Sequence, residues 1–456
     1  MPLSFQDFAT QLDYAALPDS VLTTLRRSFA DTLGVAAIGS TTQMADIALK
    51  SAQMLFGVTP AGRARALLSG QGLSPAGAAM AGAFAVDSID AHDGTSPCKG
   101  HAGSAVFPAL LAVADALSDL GRPLDGTRFA EALAIAYEVS YRAGLAQHAT
   151  CADYHTSGAW TAVGVAAATA RLLGCDAEQI RQAAGIAEYH GPRSQMMRCI
   201  DHPTMVRDGV GWGAPTGVSA AYMAQLGFTG APALTCESED TAPFWADLGQ
   251  GWRLVEDTHY KPYPCCRWAH PAIDAAAELM QAHALTADQI ASVEIRTFHN
   301  ATRLAGHTPE TPDEFAYSIA FPVAAQIVRG QISAAEMTPQ ALRDPAILRL
   351  SKATQLIDDE HFTAISVGKR WAQVSFTLTD GRQLSSEPRT PRGDTDNPLS
   401  DAELSQKFHR FADPVLGPTR AAEIEALALR FYQLDQSDFA RLLDLCLTAP
   451  GSDDQA

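Results

Sequence analysis

Residues 159–173 read AWTAVGVAAATARLL, a run with no charged or strongly polar face except at Arg171. A helix apolar on all sides must be enclosed by protein or by lipid. This one is too short to span a bilayer and carries an arginine, so other protein must enclose it. Gly174 follows directly and supplies a left-handed stop. Residues 76–86 have the same Ala/Gly-rich character, which lets helices approach closely. The chain is therefore committed to stacked helices at its centre.

The rest of the first half agrees. Asp19–Gly39 carries Val21, Leu22, Leu25, Phe29, Leu33 and Ala36 on one stripe. Helical patterns follow at 74–85, 104–117, 127–144, 157–173, 176–187 and 216–226, and strand signals before residue 255 are few. The pattern then changes. Residues 291–298 (ASVEIRTF) and 371–378 (WAQVSFTL) alternate like strands. Asp380-Gly381 predicts a hairpin turn into a return strand at 383–388. Helical patterns at 271–283, 314–328 and 345–357 lie between or before them. Helices return at 401–411 and 419–432. The expected fold is mainly α, with a smaller α+β domain.

The chain has 456 residues, 47% of them apolar, and a formal net charge of −18. Such a charge argues against nucleic acid or an anionic membrane surface as the main partner, yet permits a cationic pocket. Eight scattered cysteines form no CxxC pair, and the N-terminal sequence has no basic or apolar leader signature. The expectation is a cytoplasmic protein with reduced thiols.

Four segments concentrate chemistry. Residues 87–101 (DSIDAHDGTSPCKGH) place carboxylates, histidines and Lys99 between two apolar helices. Burying such a cluster is unfavourable unless it is paired or wetted, so a pocket wall explains it well. A hydrogen-bonded loop capping the next helix is the alternative. Tyr154-His155-Thr156-Ser157 precedes the apolar helix. Its positive end would keep His155 neutral and fit it as a base, although a capping histidine reads equally well. Residues 193–213 hold Arg193, Arg198 and Arg207 ahead of a Gly-rich turn, with Pro215 at the expected helix start. That arrangement suits carboxylates, while a loop with surface arginines remains open. Lys261-Pro262-Tyr263-Pro264-Cys265-Cys266-Arg267 is a stiff cationic junction between the domains, where ligand sites often lie. Neither HExxH, a P-loop nor GxSxG occurs, and no paired ligand spacing supports a metal. Cys98 has Lys99 and His101 nearby, which leaves a thiolate nucleophile as a poorly fitting alternative.

In order and spacing these segments resemble the MmgE/PrpD family. The resemblance rests on Asp31-Thr32-Leu33-Gly34, Lys99-Gly100-His101, Tyr154-His155-Thr156, Met205-Val206-Arg207-Asp208-Gly209, Gly213-Ala214 with Gly217-Val218, and Lys261-Pro262-Tyr263-Pro264-Cys265-Cys266. Asn397-Pro398-Leu399-Ser400 and Lys407-Phe408 extend it over nearly the whole chain. It implies a helical domain of residues 1–258 plus 396–456 and an α+β lid of residues 259–395. It also implies a cofactor-free, metal-free homodimer with a pocket between the domains. Known family reactions are 2-methylcitrate dehydration, cis-aconitate decarboxylation and iminodisuccinate epimerisation. Each moves a proton or a carboxylate beside a carbon that bears an acid, and so needs a base, an acid and cations.

Carried over position by position, Asp90 and His101 match the acidic-segment aspartate and histidine, and His155 the histidine of the second motif. Arg207 falls where the family carries an active-site lysine, and Phe321 where some decarboxylating members carry a tyrosine. The expected catalytic residues are Asp90, Asp93, His101 and His155. Lys99, Arg198, Arg207, Lys261 and Arg267 are expected to bind a small di- or tricarboxylate. The main expectation is dehydration of a hydroxylated acid; epimerisation and decarboxylation are the alternatives.

Overall fold

The computed structural model describes residues 3–451. The apolar run forms the helix Gly158–Leu173, ended by Gly174 at φ 83°. It packs against Gly126–Thr150, Ala177–His190, Val210–Gln225 and Gly103–Asp119. Small residues set the spacing. A Cβ on Gly213 would lie 2.7 Å from Gly158 Cα, and one on Gly164 would lie 2.3 Å from the Ala136 carbonyl. Only glycine allows these approaches.

One expectation changes here. Gly209–Gly213 does not form a turn ahead of a helix at 216. The helix begins at Val210, with Pro215 inside it and Gly209 as its left-handed N-cap. Gly211 and Gly213 are helix-contact residues: a Cβ on Gly211 would lie 2.4 Å from the Phe84 ring. The spacing that resembles a flexible loop is a packing surface.

The second region holds a four-stranded sheet. Ile290–Thr297 pairs parallel with Thr354–Asp358 and antiparallel with Ala372–Leu378, which pairs with Gln383–Ser385. Ala372, Val374, Phe376 and Leu378 are buried while the residues between them are half-exposed. That alternation is what made the strand readable. The helix expected through residue 357 ends at Lys352, and Thr354–Asp358 joins the sheet instead. Its parallel partner lies some sixty residues earlier, so local periodicity could not reveal it. The helix expected over 314–328 breaks into Pro312–Ala316 and Ala320–Arg329, leaving Tyr317 in the gap.

The chain then returns to the helical region. Asp401–Leu416 lies across Asp19–Gly39, with Phe408 against Gly34. Lys407 Nζ bonds Asp31 Oδ1 and the Ala91 carbonyl, each at 2.6 Å, all buried. A two-residue ladder, Gly94–Thr95 with Thr258–His259, ties the acidic segment to the interdomain junction.

Candidate active site

The acidic segment links the helices Pro75–Asp87 and Gly103–Asp119. Its turns are tight enough to hold Asp90 and Lys99 at φ 51° and 53°, and Arg207 sits at φ 47°. Such left-handed non-glycine residues are sparse and cluster at functional sites. Between this segment, residues 196–208, the 259–268 junction and the α+β region lies a narrow cleft.

His101 is oriented from behind. Its Nδ1 lies 2.8 Å from the Asp93 carbonyl oxygen. A carbonyl can only accept, so Nδ1 carries the proton and Nε2 presents its lone pair. Nε2 stands 3.8 Å from Asp208 Oδ2. Burial, with Lys261 and a charged His92 nearby, holds the His101 pKa well below that of a free imidazole. At neutral pH it is an uncharged base.

Asp208 is the opposite case. It is buried, and the charges of Asp87 and Asp90 repel its ionised form, which raises its pKa to about 7. Its backbone N–H donates to Asp87 Oδ2 at 3.3 Å, and Ser157 Oγ donates to its Oδ1 at 3.3 Å. Ser157 Oγ also accepts from the His101 backbone N–H at 3.0 Å, so one hydroxyl positions both groups. Asp208 can therefore deliver a proton where His101 can take one.

Lys261, His92 and Arg267 each face a carboxylate. Lys261, fully buried, donates from Nζ to Asp90 Oδ1 and to the Asp90 carbonyl at 3.0 Å. His92 Nε2 lies 3.0 Å from Asp87 Oδ1. Burial opposes charge on His92, but this bond and the charges of Asp87 and Asp90 outweigh it and raise its pKa. Arg267 Nη2 bonds Asp394 Oδ1 at 2.6 Å. Ligand atoms of Asp90, His101 and Asp208 lie within 4.8 Å of one another, close enough to share a divalent cation. The Lys261 ammonium already bonds the Asp90 carboxylate through Oδ1.

Five of the expected residues line this cleft: Asp90, Lys99, His101, Lys261 and Arg267. Four do not. The Asp93 carboxyl is buried beneath it, accepting from Tyr137 Oη at 2.6 Å and the Gly103 N–H at 3.1 Å. Its contribution is the carbonyl that fixes His101. His155 is buried beside Gln195, one residue behind the cleft-lining Tyr154. Arg198 is exposed, in a separate depression with Ser194 and His202. Arg207 is buried, bonding the Ser88 carbonyl at 2.7 Å and Asp313 at 2.8 Å. It ties the helical region to the α+β region, because the carboxylate that neutralises it belongs to the protein. Cys98 is buried against the Tyr141 carbonyl, and burial pushes its thiol far up, which removes it as a nucleophile. Phe321 packs on Phe315 in the core; the tyrosines at the cleft are Tyr154 and Tyr317.

Sequence reasoning missed Asp208, His259, Tyr317 and Arg370, which also line the cleft. Asp208 had a signal, since it sits beside Arg207 in a recognised motif. Arg370 had only its place before an apolar strand.

Residues 4–245 match the family model described as the MmgE/PrpD N-terminal domain, and residues 263–432 the one described as the MmgE/PrpD C-terminal domain. The chain is 23% identical to a cis-aconitate decarboxylase of Aspergillus terreus, over 96% of this chain and 94% of that protein. It is 25% identical to the Homo sapiens cis-aconitate decarboxylase, over 90% of this chain and 88% of that protein. A cis-aconitate decarboxylase-like protein of Aspergillus oryzae is 23% identical over 92% of each.

Proposed function

The chain belongs to the MmgE/PrpD family, and from that premise we propose that it is an acid–base lyase acting on a small di- or tricarboxylate, and specifically a dehydratase. The observation that carries this is the neutral His101 Nε2 facing the Asp208 carboxyl in a cleft rich in cations. His101 takes the proton from the carbon next to a substrate carboxylate. Lys261 lies beside that position and offsets the negative charge that develops on the carboxylate. The electron pair forms the carbon–carbon double bond, the carbon–oxygen bond breaks, and Asp208 protonates the departing hydroxide to water. The water just formed then relays the proton from His101 to Asp208, since the 3.8 Å between them is too long for direct transfer, and both groups are restored.

Decarboxylation is the second reading, favoured by the names of the relatives. The geometry supports it less. Loss of CO2 is helped by surroundings that disfavour the carboxylate's charge, whereas Lys99, Lys261, Arg267 and Arg370 all line this cleft. Epimerisation needs proton carriers on opposite faces of one carbon, and His101 and Asp208 are neighbours on one wall.

Incubation with hydroxylated and unsaturated di- and tricarboxylates in deuterated water separates the three. Dehydration gives new double-bond absorbance without CO2. CO2 release would replace it by decarboxylation. Deuterium uptake with neither would identify an epimerase.

A further inference from the structure

The cations of the cleft are not equivalent. Lys261 and Arg267 each have a protein carboxylate, Asp90 and Asp394. Among the described residues, Lys99 and Arg370 have none within ion-pair distance. Arg370 is 8% exposed, and its hydrogen bonds all leave from Nη1, to the Ser366 and Lys369 carbonyls at 3.2 and 3.0 Å. Among the described residues its other nitrogens have no hydrogen-bond acceptor, and the guanidinium carbon lies 5.9 Å from the centre of the Phe298 ring. A buried guanidinium without a carboxylate is costly in an empty site. Lys99 lines the same cleft, its Nζ 5.6 Å from the centre of the Tyr154 ring. Burial and the charge of Arg370 both lower the Lys99 pKa, so the two cations repel each other.

We propose that Lys99 and Arg370 together form a receptor for one substrate carboxylate, the one remote from the reacting carbon, and that this pair makes the enzyme require at least two carboxylates. Lys99 belongs to the acidic segment of the helical region, and Arg370 to the turn ahead of the strand Ala372–Leu378. Neither region binds the group alone. An anion between them supplies Arg370 with its missing acceptors and removes the repulsion with Lys99, so it also holds the two regions together over the bound substrate. The guanidinium offers two parallel donors and the ammonium a point charge, the combination expected for one carboxylate gripped from both sides.

The inference rests on the carboxylate-lyase reading, so its test reads binding rather than turnover. Calorimetric titration would use propane-1,2,3-tricarboxylate, glutarate and butyrate, which lack a hydroxyl to eliminate, against wild type, Lys99→Gln, Arg370→Gln, Arg370→Lys and the double Gln variant. Arg370→Gln should weaken the tri- and dicarboxylate roughly tenfold to a hundredfold, the usual effect of losing a charge-assisted contact, and leave butyrate unchanged. Arg370→Lys should recover part of the loss. The double variant should bind no more weakly than roughly the worse single variant, because both cations share one carboxylate. Additive losses, or equal weakening of butyrate, would overturn the shared receptor while leaving the lyase reading intact. Failure of wild type to bind any polycarboxylate would sink both. Matching circular dichroism and thermal midpoints exclude a folding defect; should Arg370→Gln fail to fold, Lys99→Gln, at an exposed position, gives the same comparison.

Discussion

His101 Nε2 and Asp208 Oδ2 face each other at 3.8 Å, one an imidazole kept neutral by burial, the other a carboxyl whose pKa burial raises to about 7. Both perturbations come from the same enclosure. Burial disfavours a positive imidazole and a negative carboxylate alike, and Asp87 and Asp90 add to the second effect.

Removing the base is the first test. His101→Asn keeps the size and polarity of the side chain while ending proton transfer. Turnover should fall roughly 10²–10⁴-fold, the usual contribution of general acid–base catalysis. Steady-state kinetics on the substrate found in the deuterium experiment would check it, and near-wild-type turnover removes His101 from the mechanism.

Asp208 gives a pH signature with a definite sign. As the acid it must be protonated, so turnover should fall as pH rises through about 7. Stability runs in the same direction. The folded-state pKa is above the unfolded value of 3.8, so the native state binds the extra proton more tightly. That stabilisation is fully present below 3.8 and is lost as pH rises through about 7. Asp208→Asn cannot ionise, so it should melt higher than wild type above pH 7 while losing turnover. Thermal melts at two pH values decide it; an Asn variant that melts lower at both would place an ionised Asp208 in the native state.

How much of this was legible follows from where the information lies. The stripe from Val21 to Ala36 and the alternation from Ala372 to Leu378 are local patterns, and both gave their elements almost to the residue. The strand Thr354–Asp358 depends on a distant parallel partner, and the Gly209–Gly213 spacing depends on Gly158 and Phe84 coming close. Neither contact is written in its own segment. The site divides in the same way. His101 and Lys261 stand out by residue type. Arg207 meets Asp313, which comes from the distant short helix Pro312–Ala316. The more conspicuous arginine drew the expectation of a carboxylate contact, while its neighbour Asp208 is the residue that lines the cleft.

Arg207 should matter to the fold more than to substrate affinity. Arg207→Ala leaves Asp313 without its partner and the Ser88 carbonyl without its donor. Breaking one side of a buried pair destabilises by about 3–5 kcal/mol. Urea denaturation should show that loss, and KM in the surviving native fraction should change little. A large KM increase at unchanged stability would return Arg207 to the substrate.

Chelation tests the triad of Asp90, His101 and Asp208, whose ligand atoms are close enough for a divalent ion. A metal there would need ionised Asp208 and a free Asp90 oxygen. Asp208 titrates near 7, and Lys261 Nζ already holds Asp90 Oδ1 as a fixed positive charge at the same spot. In the proposed mechanism the ammonium supplies the charge that a metal cation would otherwise offer the developing carboxylate. Dialysis against a chelator should therefore leave turnover unchanged, whereas Lys261→Met, which removes the charge but keeps the length of the chain, should abolish it. If Lys261→Met instead gains activity with added Mg²⁺ or Mn²⁺, the triad is a latent metal site that the lysine occupies. If chelation alone silences wild type and one divalent ion restores it, the assignment of charge stabilisation to Lys261 is wrong.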